Sequence, residues 1–189
     1  MKNIKYKPPK KNIISSIFKS KSGMKGILKL AETKNVEHFL FYTHVNNVLI
    51  ILENGIRLLD DKKLLPSQEY IVWTYLENEK SIGLEMDNSS RVNFWKWSND
   101  ANIDINEIAT IAINYKYLAE ISKKDWAHDD TSNLIYIYEN INPEAIEWVM
   151  VKKRSEIELI KTYIENNNLN IDVFYGEKGN IEKIDKKDR

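Results

Sequence analysis

Apolar and polar positions along this chain change period several times, and each change predicts an element. Phe39, Leu40, Phe41, Tyr42 and Thr43 form a short apolar and aromatic run, which predicts a strand. Val45, Val48, Leu49 and Leu52 follow at i, i+3, i+4 and i+7. That is the spacing of one helix face and predicts a helix over Asn46–Asn54. Gly55 comes next, where a left-handed C-terminal cap costs least without a Cβ. Glu69–Tyr75 is β-branched and aromatic and predicts another strand, and Arg91–Trp97 is a further candidate. Ala109–Tyr115 reads as a buried strand, with a helix from Asn106 left open by periodicity. Lys123–Asn133 is polar and reads as a loop, whereas Leu134–Tyr138 and Ile146–Val151 read as strands. Ser155 and Glu158 stand in capping-box spacing and open a helix with Ile157, Ile160, Tyr163 and Ile164 on one face. Asn166, Asn167 and Asn168 end it, and Asn170–Tyr175 makes a last strand. Five or more short strands with two or three helices predict an α+β domain rather than an alternating parallel array.

Charge divides the chain in a way the pattern does not. The 28 basic and 28 acidic residues cancel. Residues 1–31 hold nine lysines and no carboxylate, so they carry +9 and the remainder carries −9. A basic arm on an acidic body suits an anionic partner such as nucleic acid. Pro8 and Pro9 predict an extended or mobile start. Ile13, Ile14, Ile17 and Phe18 could line a short helix, which Gly23 and Gly26 interrupt. We therefore divide the chain into a basic arm (1–34), a folded domain (35–175) and a charged tail (176–189).

Composition narrows the chemistry. There is no cysteine, so no thiolate site and no disulfide. The three histidines, His38, His44 and His128, fall in no zinc-protease or deaminase spacing. The six glycines are scattered, which disfavours a phosphate loop. No apolar run approaches the roughly 18 residues of a membrane span. A cytoplasmic protein with no membrane partner is the expectation.

Tyr42, Thr43, His44, Val45, Asn46 and Asn47, with Ile51, Leu52 and Gly55, resemble the first motif of NAD-consuming ADP-ribosyltransferases. Within that family the pattern resembles that of DNA-modifying toxins of the DarT type. The stretch Ile111–Tyr115, followed by Leu118 and Lys124–Asp130, is similar to the family's central strand and following loop. Pro143, Ile146 and the strand–helix–strand through Val173 are similar to its C-terminal unit. The resemblance implies an ADP-ribosyltransferase-like fold with NAD as substrate, whose nicotinamide end meets Thr43, His44 and Asn47. It also implies a catalytic Glu near Leu134, where this chain has none. Asp129, Asp130, Glu139 and Glu144 are the nearest carboxylates, and Asp130 is taken as the substitute. Arg91 is taken as the phosphate-supporting cation, because a planar guanidinium suits phosphate.

The implied activity is transfer of ADP-ribose to a nucleic-acid base or a protein, as a toxin or phage-defence enzyme, with an antitoxin protein as a possible partner. Two alternatives stay open. One is a catalytically silent member of the same fold that binds nucleic acid or an NAD-related ligand, with His44 doing no more than capping its helix. The other is a protein-interaction module built on the acidic body. Trp73, Tyr75, Phe94, Trp95 and Trp97 with Arg91 and Lys96 add a possible stacking platform for single-stranded DNA or RNA.

Overall fold

The computed structural model describes residues 23–58, 81–87, 104–131, 134–177 and 180–184. The expected strands at Glu69–Tyr75 and Arg91–Trp97, their aromatic cluster, and the expected helix around Ile13–Phe18 lie outside these residues.

One eight-stranded sheet organises the described residues, in the order β4-β5-β2-β1-β3-β6-β7-β8. The strands are β1 (Phe39–His44), β2 (Ile82–Met86), β3 (Ile108–Ile113), β4 (Ala127–Asp129), β5 (Leu134–Ile137), β6 (Ile146–Val151), β7 (Asp172–Glu177) and β8 (Asn180–Ile184). Every neighbouring pair is antiparallel except β6 and β7. That parallel pair is joined through a helix, as a crossover requires. Four helices are described: α1 (Met24–Thr33), α2 (Val48–Asn54), α3 (Tyr115–Ile121) and α4 (Arg154–Asn166). The expectation of mixed strands with helices holds at this coarse level.

β1 and β3 are buried at every position, because they lie mid-sheet with both faces covered. This explains why neither shows apolar–polar alternation in sequence. Alternation of side chains still gives the sheet two chemically different faces. One face carries Phe39, Phe41, Leu84, Ile111, Ile135 and Val149, all buried and apolar. The other carries Tyr42, His44, Glu85, Thr110, Tyr136 and Trp148, interspersed with the apolar Leu40, Ile108, Ala112 and Leu134.

Several expectations are corrected. α1 lies inside the segment read as an arm, and its Ile27 and Ala31 are buried in the core. Gly26 sits within that helix and does not interrupt it, whereas Gly23 has extended backbone and marks its start. The loop read at Lys123–Asn133 contains β4, anchored by the buried Trp126, whose indole donates to Ser122 Oγ at 3.2 Å. The capping box at Ser155 does not form: the helix starts two residues earlier, with Lys153 as its cap. Beyond Gly176 the chain makes β8, paired with β7. The end of α4 agrees with the reading, since Asn167 caps it and Asn168 takes a positive φ of 51°.

Gly55 stops α2 as expected, but for an additional reason. Its φ is 76° and its ψ −176°, so it is not in the left-handed helical well. An added Cβ would lie 2.1 Å from the Ile141 carbonyl oxygen. The glycine lets Ile56 bridge to Ile141, which ties the end of α2 to the segment before β6.

Candidate functional site

The site begins where β1 ends. Thr43 and His44 are the last residues of the strand, and Val45–Asn47 form a single 3₁₀ turn before α2. His44 has extended backbone (φ −70°, ψ 141°) and caps this turn through its own ring. The Asn46 backbone N–H donates to His44 Nδ1 at 3.2 Å. In the neutral ring that bond puts the proton on Nε2. Nε2 faces Glu107 Oε2 at 3.2 Å.

Glu107 is placed by a second small corner. Asp104 Oδ1 accepts from the Asn106 backbone N–H at 2.9 Å and starts a 3₁₀ turn, Ile105–Glu107. That turn runs directly into β3, where Ile108 pairs with His44. Sheet register therefore brings Glu107 to the ring from 63 residues away. Sequence reasoning missed this residue, because no motif signals a contact set by strand pairing.

Thr43 and Asn47 are both fully buried, and Thr43 points to the face of the sheet opposite His44. Asn47 Nδ2 donates to Thr43 Oγ1 at 3.1 Å. Asn47 Oδ1 is buried with no hydrogen-bond partner among the described residues. A buried acceptor left without a donor costs about 1–3 kcal/mol, so it marks a polar position that a bound group could satisfy. The three residues read as one motif, Thr43, His44 and Asn47, do stand together at one corner.

Asp130 does not join them. It follows β4, and Asp129 stands level with Leu134, Glu85 and Leu40. That level is toward the opposite end of β1 from His44 and three strands away, on the order of 20 Å by strand geometry. The Asp130 carboxylate is 76% exposed and pairs with His128 Nδ1 at 2.9 Å. Arg91 lies outside the described residues. Two other carboxylates stand nearer to His44. Glu107 is at its ring, and Glu85 shares its face of the sheet one strand over but level with Leu40, about 14 Å from His44 by strand geometry. Glu85 is only 1% exposed, on the polar face of β2 beside β1. Burying a carboxylate mid-sheet is costly unless it is paired, and sequence alternation alone did not single it out.

No protein-family profile matches the chain, and no curated protein matches it. Among solved structures it is similar to Thermosipho africanus DarTG in complex with ADP-ribose, at 13% identity and a TM-score of 0.43. The match covers 71% of this chain and 49% of that one, so this chain spans about half its length. A likeness of that size fixes neither family nor activity. No helix of the described residues is long and apolar enough to cross a membrane.

Proposed function

We propose that this chain handles NAD in the manner of an ADP-ribosyltransferase, with the nicotinamide end at the corner of Thr43, His44 and Asn47. One observation carries the reading: His44, Tyr42 and the buried Glu85 share the polar face of the sheet that leads to that corner. Cleaving the nicotinamide–ribose bond builds positive charge on the ribose. A carboxylate in a site that excludes water stabilises that charge strongly. Glu85 takes this part here in place of Asp130. Glu107 holds the His44 ring, and the Thr43–Asn47 pair braces the same corner from the other face of the sheet. Arg91 retains its proposed phosphate contact. The acceptor would be a base of single-stranded DNA or RNA, gathered by the lysine-rich segment, or a protein. A toxin or phage-defence role, with an antitoxin partner, fits such chemistry.

A second reading has its own support. Both ring nitrogens of His44 are engaged, Nδ1 by Asn46 and Nε2 by Glu107. That favours a silent member of the fold that binds an NAD-related ligand without cleaving it. The test is nicotinamide release from NAD, with and without single-stranded DNA or RNA. It is run beside His44→Ala and Glu85→Gln variants whose folding is checked by circular dichroism. Release lost in both variants supports the transferase. NAD binding without release supports the silent binder. Neither binding nor release removes NAD from the account.

A further inference from the structure

At the other end of β1, a different histidine stands among carboxylates. His38 immediately precedes β1 and Asp87 immediately follows β2. The His38 backbone N–H donates to Asp87 Oδ2 at 2.7 Å, and the Glu37 N–H donates to the same oxygen at 3.1 Å. The Asp87 N–H returns a bond to the His38 carbonyl at 3.1 Å. The side chains of Glu37, His38 and Asp87 bring one donor atom each within 4.8 Å of one another.

The ring separates this group from ordinary surface acids. His38 Nε2 meets Glu147 Oε2 at 2.6 Å. The Glu147 carboxylate is held in turn by Asn114 Nδ2, which donates to Oε1 at 2.6 Å. Trp148 packs its edge against the ring at 5.6 Å. Glu147 reaches this position because it is the extra residue where β6 slips register against β3, from Ala112 opposite Trp148 to Ile113 opposite Ile146. Such a bulge re-aims a side chain. With Nε2 donating to Glu147, the neutral ring turns the Nδ1 lone pair toward Asp87 Oδ2 at 3.4 Å. Two acceptors facing each other repel unless a cation, either a proton on Nδ1 or a metal ion, lies between them.

We propose that Glu37, His38 and Asp87 form a binding site for a divalent transition-metal ion, with Glu147 and Asn114 as its outer support. The 3.4 Å between Nδ1 and Asp87 Oδ2 matches the edge of a tetrahedron with bonds of about 2.1 Å, the range for zinc with imidazole or carboxylate ligands. A metal-bound histidine whose second nitrogen donates to a fixed carboxylate is the usual arrangement around such ions. One nitrogen with two carboxylate oxygens suits zinc or manganese better than magnesium. Water would complete the coordination. The ion would clamp the start of β1 to the end of β2, independently of NAD at the far end of the strand.

The experiment titrates the full chain with Zn²⁺, and with Mg²⁺ for contrast, by calorimetry and thermal unfolding. One Zn²⁺ per chain and a raised Tm are expected. His38→Gln and Asp87→Asn should weaken binding at least tenfold. Glu37→Gln should do so as well, and its exposed side chain makes this variant safe for folding. His128→Gln should leave binding unchanged. Zn²⁺ binding indifferent to Glu37→Gln and His38→Gln would be adventitious and would overturn the proposal. So would a Tm that ignores Zn²⁺, which would assign the position to a ring proton.

Discussion

Gly55 shows how much one missing Cβ can hold. Its positive φ, and the Ile141 carbonyl oxygen 2.1 Å from where a Cβ would stand, leave no room for a side chain. Gly55→Ala must either move the bridge between Ile56 and Ile141 or distort the end of α2. We expect a loss of about 3 kcal/mol or more, because backbone strain and a broken contact add. Urea unfolding measures it, and a loss below about 1 kcal/mol would mean that the bridge is dispensable. At the same scale, His44 was legible from its place at a strand–helix corner, and Asn47 only through the family resemblance. Glu107 and Glu85 were not. Each acquires its meaning from a neighbour on another strand, Glu107 through the pairing of Ile108 with His44 and Glu85 through its pairing with Leu40.

Elements show where local signals suffice. The helix–Gly boundary at α2 and the strand at Ile146–Val151 follow directly from apolar spacing. The Ser155 box fails because Lys153 already starts the helix, so local capping chemistry lost to the path of the chain out of β6. α2 and α4 pack together, and Tyr163 on α4 has its hydroxyl pKa raised, first by burial and then by the Glu53 charge. A raised pKa means that the folded state holds the proton longer than the unfolded chain. Its stabilising effect is complete below the ordinary tyrosine value of about 10 and is lost as pH climbs above it. Tyr115 is raised in the same direction by burial, Glu32 and Asp87, and Tyr138 by burial. Thermal unfolding should therefore show a Tm that falls between roughly pH 9 and pH 11. Tyr163→Phe should shrink that fall. A variant whose Tm drops as steeply as the parent would remove Tyr163 as a contributor.

Charge acts on the whole molecule. Nine lysines within residues 1–31 oppose a net −9 elsewhere. Two of them, Lys25 and Lys29, are exposed on α1, which is packed on the sheet, so part of the basic segment is rigidly presented. For the proposed contact with single-stranded nucleic acid, log K should fall linearly with log salt. Nine contacts at about 0.7 each limit the slope to about −6. Fluorescence anisotropy between low and moderate salt checks this, and a flat response would exclude the lysines from binding.

The sequence by itself determined the strand–helix corner at Thr43–Asn47, the apolar strands and the charge division, because each depends on residues near one another in the chain. Tertiary structure alone decided which carboxylate meets His44, where Asp130 ends up, and that His38, Asp87 and Glu147 converge. Those outcomes depend on strand order and register across a sheet whose partners lie tens of residues apart. Local periodicity reports which face of a strand is buried, but it does not report which strand lies beside it.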